Sequence, residues 1–300
     1  YAGAFVCDSS NNALVAAMEE LTIELECWEK YVGLLKTVLA KDTKPANWRE
    51  LKFRLGLAYD KELSLYNEAA AIYNDILADG PDILVLDALG RLYRKEMEWE
   101  KFVEVMGWKV EILDDIDARR GAAMEQADVV ERELGDPMRA AKIFEEILVT
   151  SPGELEILKR LEEIYTLNAQ WPLMVETLKR ELDVTTSIPE KVKIGFKLGS
   201  IYQDNLDDLE SAARAYIEVV KLDPAHIPAV EALEQLLDLG VLPAEIFRGL
   251  EPHYVEKKNF EKLLHGYEVL LEGEKDSFAR GELCRKLADI SLHRNEDPEK

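Results

Sequence analysis

Four histidines, three cysteines and one dense acidic run are the residues of this 300-residue chain best suited to chemistry of their own. His226, His253, His265 and His293 show neither HExxH nor HxH spacing, so no two imidazoles are set one turn apart to share a metal. Cys7, Cys27 and Cys284 are odd in number, widely separated and without a CxxC pair. They offer neither a disulfide framework nor a zinc knuckle, and a reducing, cytoplasmic setting is expected. The run DNLDD at 204–208 invites a calcium reading, but a calcium loop needs a central glycine and a terminal bidentate glutamate, which are not at loop spacing here. It reads instead as a turn supplying a helix N-cap. No GxSxG, GxGxxG or GxxxxGKS occurs. Paired carboxylates are everywhere in so acidic a chain and identify nothing. The residues therefore predict no intrinsic enzyme, no metal and no cofactor.

Charge narrows the partners. Sixty acidic against 37 basic residues leave a formal charge of −23. A grip on phosphate backbones needs clustered Lys and Arg, and these are missing, so nucleic acid and anionic membrane are poor partner candidates. A basic protein or peptide would be attracted, although acidity also serves simply to keep a helical rod soluble. Hydrophobic residues make up 47% of the chain, ample for burial, yet no run approaches the eighteen apolar residues of a membrane span. The opening YAGAFVC has no basic region and no initiator Met, so it is not a signal peptide as it stands.

The elements that must position any site come from a repeat. Residues 69–81, 140–152 and 212–224 read AAAIYNDILADGP, AAKIFEEILVTSP and AARAYIEVVKLDP. Their prolines Pro81, Pro152 and Pro224, aromatics Tyr73, Phe144 and Tyr216, and alanines Ala69, Ala140 and Ala212 recur every 71 or 72 residues. Trp28, Trp99 and Trp171 keep the same period. Two marker sets on one period of about 72 define pairs of units, each long enough for a helical hairpin. Ala140, Ile143, Phe144, Ile147 and Leu148 follow helical spacing, while Asp136-Pro137, and again Asp297-Pro298, supply an N-cap and a first-turn proline. The tryptophans, each at a helix start with apolar residues before and after, read as staples between units. An all-α chain is expected.

A small residue, tyrosine three later, then Ala, aromatic and Pro at fixed offsets resembles the tetratricopeptide repeat. The carrying residues are Gly56, Tyr59, Ala69, Tyr73 and Pro81; Ala127, Ala140, Phe144 and Pro152; and Gly199, Tyr202, Ala212, Tyr216 and Pro224. The alternate units, beginning helix B on Trp99 or Trp171, depart from that pattern and look like those of large bacterial multi-repeat proteins. The resemblance implies a right-handed α-solenoid of about eight hairpins spanning 1–300, in two-unit periods 10–81, 82–152, 153–224 and 225–300. In the last, the series Leu250–Tyr254–Phe260 repeats Leu161–Tyr165–Trp171 at an offset of 89. About 17 residues are thus added, most simply as an extra or split helix within 225–250. Both ends read as cut in mid-repeat, as in a fragment of a longer chain.

The resemblance also implies that A helices line a concave binding face. The positions that grip a terminal carboxylate in such arrays are here Phe53, Leu57 and Asp60; Met124, Asp128 and Glu131; and Phe196, Ser200 and Gln203. They are apolar, acidic or neutral, so an anionic peptide is disfavoured and a basic or amphipathic segment preferred. The expected function is a non-catalytic protein-binding scaffold; the alternative is the sensor or assembly region of a larger enzyme or signalling protein whose catalytic part lies elsewhere.

Overall fold

The computed structural model describes residues 2–40 and 45–296; Asp297 and Pro298, read above as a helix start, lie outside them. Every regular element among the described residues is helical, and the chain forms two compact units, Tyr1–Val149 and Thr150–Lys300. Unit 1 holds α1 (Ala2–Cys7), α2 (Asn12–Leu25), α3 (Trp28–Leu39), α4 (Trp48–Leu57), α5 (Tyr66–Leu77), α6 (Ile83–Lys95), α7 (Trp99–Ile112), α8 (Ile116–Arg132) and α9 (Pro137–Thr150). Helix α4 runs on into a π-helical turn, Ala58–Glu62. Unit 2 holds α10 (Leu155–Leu167), α11 (Trp171–Val184), α12 (Ile188–Asp204), α13 (Leu209–Leu222), α14 (Ile227–Asp238), α15 (Pro243–Glu256), α16 (Phe260–Gly273) and α17 (Ser277–Glu296).

The repeat markers fill the seams within each unit. Ala69, Tyr73, Ala127, Ala140, Phe144, Ala212 and Tyr216 are all buried, while Pro81, Pro152 and Pro224 lie in the exposed turns that follow. Gly56 and Gly199 face the rings of Tyr73 and Tyr216, and a Cβ on either glycine would overlap the ring. Small residue and aromatic are thus one packing device: the missing side chain is the space the ring occupies. Asp208, the end of DNLDD, caps α13 by accepting the Ser211 N–H at 3.0 Å. Trp28, Trp99 and Trp171 each open a helix but are half-buried, so each contributes less than full burial of an indole would.

One local device recurs without a glycine signal. The described B-type helices α3, α5, α7, α9, α11, α13 and α16 begin two residues after a left-handed residue: Glu26, Ser64, Met97, Gly135, Ala169, Asp207 and Lys258. The next N–H reaches back to close the preceding helix, as Glu98 N does to Tyr93 O at 2.8 Å and Gln170 N to Tyr165 O at 2.9 Å. This geometry favours glycine, since a Cβ in the left-handed region costs about 1–2 kcal/mol. Met97, at φ 58° and 72% exposed, loses little packing when truncated. Met97→Gly is therefore expected to stabilise unit 1 by about 1 kcal/mol, read as a raised urea midpoint at constant slope; a lowered midpoint contradicts it.

Unit 2 carries one helix beyond the alternating order. Ala229, Val230, Leu233 and Leu236 of α14 are buried at positions 72 residues after Ile157, Leu158, Leu161 and Ile164 of α10. Helix α15 then buries Ile246, Phe247 and Leu250, each 17 positions after Ala229, Val230 and Leu233, and adds Tyr254, the match of Tyr165 in α10. Two A-type helices therefore follow one another, and α13 packs against both. Their connection differs from the B-helix starts: Gly240 and Leu242 take positive φ, and Pro243 opens α15 directly.

Candidate protein-binding grooves

Of the nine positions singled out on A helices, eight lie on α4, α8 and α12, and Asp60 lies in the π-helical turn that continues α4. In unit 1, Phe53 and Leu57 are half-buried on α4, the Phe53 ring 5.9 Å from that of Tyr73, and Asp60 is turned inward at 9% exposure. Met124, Asp128 and Glu131 are half-buried along α8. In unit 2 the Phe196 ring lies 5.5 Å from Tyr216 and 5.0 Å from His226. Ser200 Oγ and Gln203 Oε1 accept from the Tyr216 hydroxyl at 3.3 and 3.2 Å. Ser200 and Gln203 thus brace the seam between α12 and α13.

Tyr216 and Tyr73 occupy matching seams with opposite polar outcomes. Burial pushes both hydroxyls above the usual tyrosine range, but Tyr73 Oη is buried without a hydrogen-bond partner. Deleting a hydroxyl that makes hydrogen bonds loses about 0.5–1.5 kcal/mol, whereas deleting a buried orphan relieves a desolvation penalty. Tyr216→Phe is expected to lower the urea midpoint and Tyr73→Phe to leave it unchanged or raise it. Equal losses in both would contradict the assignment.

Two grooves, one in each unit, carry apolar surface that the sequence reading did not reach. In unit 1 a cavity of about 540 Å³ is lined by Leu77, Pro81, Leu86, Trp108, Glu111 and Ile112. Trp108 is 39% exposed in its wall. In unit 2 a cavity of about 350 Å³ lies among α14, α15 and α16, with Leu237, Pro243, Phe247 and Val269 as apolar lining. Gly266 lets the Phe247 ring lie against α16; a Cβ there would overlap it. The rim bears Glu234, Asp238, Glu261, Lys262 and His265.

Tyrosine, carboxylate and lysine are combined twice in this region. The Tyr254 hydroxyl donates to Glu234 Oε1 at 3.1 Å, Lys262 pairs with the same oxygen, and its ammonium sits 5.4 Å from the Tyr254 ring centre. The Tyr267 hydroxyl donates to Glu251 Oε1 at 2.6 Å; Lys286 Nζ is 2.8 Å from that oxygen and 5.1 Å from the ring centre. Each is a cation seat made of a carboxylate and an aromatic face. Two of the histidines serve the chain itself: His226 Nδ1 accepts the Ala229 N–H that starts α14, and His253 Nδ1 lies 3.0 Å from the Pro224 carbonyl. Among the described residues no group of three or more His, Cys, Asp or Glu is arranged to hold a metal, and no helix is long and apolar enough to cross a membrane.

The most enclosed charge is a different one. Glu181 of α11 is 4% exposed, and its Oε2 has no hydrogen-bond partner. Burial first, then the charge of Glu162 and a hydrogen bond with it, push its carboxyl above the usual glutamate range, while Lys159 and Lys197 oppose the shift. Lys197 pairs with Glu162, linking α12 to α10 beside it.

The arrangement of hairpins, small-residue notches and seam aromatics defines a tetratricopeptide-like α-helical repeat fold. No family model matches the chain, and no curated protein matches it in sequence. Among solved structures it is similar to a tetratricopeptide repeat protein from Parabacteroides merdae, at 13% identity over 92% of this chain and 96% of that one, TM-score 0.36. It is also similar to the C-terminal part of a TPR repeat-containing protein from Cytophaga hutchinsonii, at 14% identity over 83% and 96%, TM-score 0.34. A third is YrrB, described as a TPR protein with an unusual peptide-binding site, at 11% identity over 67% and 97%, TM-score 0.32. The likeness is one of fold alone.

Proposed function

We propose that this chain is a non-catalytic scaffold that holds a partner protein or peptide in grooves beside its helical hairpins. The observation that carries this is the unit 1 groove, where Trp108 is left open beside Leu77, Pro81 and Ile112. An indole with one apolar flank in a pocket is the kind of anchor on which interfaces concentrate their energy. Glu111 on the same wall and the charge of −23 favour a basic or amphipathic partner over an acidic one. Half-buried Phe53, Leu57 and Met124 in unit 1, and Phe196 in unit 2, are further apolar contact points in this reading, with Asp128 and Glu131 as acidic neighbours on α8.

Selection of displayed random peptides on the immobilised full chain tests the reading. Binders are expected to carry apolar anchors and to lose at least about fivefold in affinity, roughly 1 kcal/mol, on either Trp108→Ala or a variant of the unit 2 groove. A selection that yields nothing above background, or binders indifferent to both grooves, would contradict it.

A further inference from the structure

The groove among α14, α15 and α16 exists because two A-type helices follow one another. In α10 the residue matching Leu237 is Tyr165, which is 3% exposed in a hairpin with the B-type helix α11. Helix α14 is followed by α15 instead, and Leu237 is left only half-buried at the edge of the cavity. The apolar lining is therefore a face of α14 that α15 and α16 leave partly open.

Its charge says what fits. Glu234 already holds a cation, Lys262, against the Tyr254 ring. Asp238 lies one turn further along α14 on the same rim, and its charge acts on the Tyr254 hydroxyl. Among the described residues Asp238 pairs with no Lys or Arg. The chain thus shows a filled cation seat and a second carboxylate among the residues that line one apolar cleft.

We propose that this groove is a docking site for a basic protein segment that inserts one large apolar side chain against the half-buried Leu237, Pro243 and Val269 and sets an adjacent lysine or arginine against Asp238. The proposal rests on the scaffold reading and names the chemistry of one of its partners. An acidic segment would meet Asp238 with like charge and find Lys262 already taken by Glu234, and a wholly apolar one would leave Asp238 without a cation.

The test uses the full chain and a fluorescein-labelled amphipathic peptide of leucine, alanine and lysine, about 14 residues or four helical turns long. Two controls replace its lysines by glutamate or its leucines by alanine. Anisotropy titrations are expected to show binding that Asp238→Lys and Leu237→Glu each weaken at least about tenfold, that salt weakens, and that neither control peptide reproduces. Both substituted residues lie at the rim or edge of the groove, and circular dichroism checks that the variants fold. Unchanged affinity on Asp238→Lys, or equal binding of the glutamate peptide, would overturn the site. If Trp108→Ala removes binding while Asp238→Lys does not, the site falls and the scaffold reading stands. If no peptide binds any form, here or in the display selection, both fall.

Discussion

Phe247→Ala is expected to lower the stability of unit 2 by about 3–5 kcal/mol, the range for removing a buried aromatic ring. The ring is 1% exposed, lies 5.1 Å from the Tyr267 ring in an edge-on arrangement, and fills the notch left by Gly266. Its loss leaves a cavity bounded on one side by glycine, which has no side chain with which to close it. Helices α15 and α16 can approach only by shifting backbone, so relaxation recovers little. Urea unfolding followed by circular dichroism is expected to show a clearly earlier transition. The same truncation at Trp171, half-buried at the start of α11, is expected to have a smaller effect. Equal losses at the two positions would show that the seam aromatics are not the principal packing elements.

Glu181→Gln is expected to act in the opposite direction, stabilising unit 2 by about 1–3 kcal/mol at neutral pH, the penalty of an unsatisfied buried group. The folded unit raises the Glu181 carboxyl above its ordinary value, chiefly by burial and then through Glu162. Between the ordinary and the raised value, folded unit 2 keeps a proton that the unfolded chain has released. The stability from this group is therefore fully present below that window and is lost as pH rises through it. Glutamine supplies a neutral amide in the same shape and can donate to Glu162. Melting temperatures of the two proteins from pH 4 to pH 8 should converge at the acid end and diverge as pH rises, with the variant the more stable. A constant difference, or a less stable variant at pH 8, would contradict the assignment.

The seams were open to reading because they depend on residues that keep step. Ala140 and Phe144, or Gly199 and Tyr216, must meet once per hairpin, so their spacing survives in the letters. The turns before the B-type helices left no such trace: six of the seven left-handed residues are not glycine, and the conformation is imposed by the helices on either side. The cation seats are equally silent, since Glu234 and Tyr254 are 20 positions apart but Glu251 and Tyr267 only 16. The unit 2 groove depends on α14 and α15 both burying an A-type face, a fact of packing order rather than of local pattern. Ser200 and Gln203 show the converse limit, because a position on a named face does not reveal that a neighbour's hydroxyl already uses it.

Hydrogen–deuterium exchange of the full chain, with and without a peptide selected on it, tests the central claim most directly. The scaffold account predicts slowed exchange concentrated in α5–α7 or in α14–α16, the helices that line the two grooves. Protection confined to helices that line neither groove would contradict it.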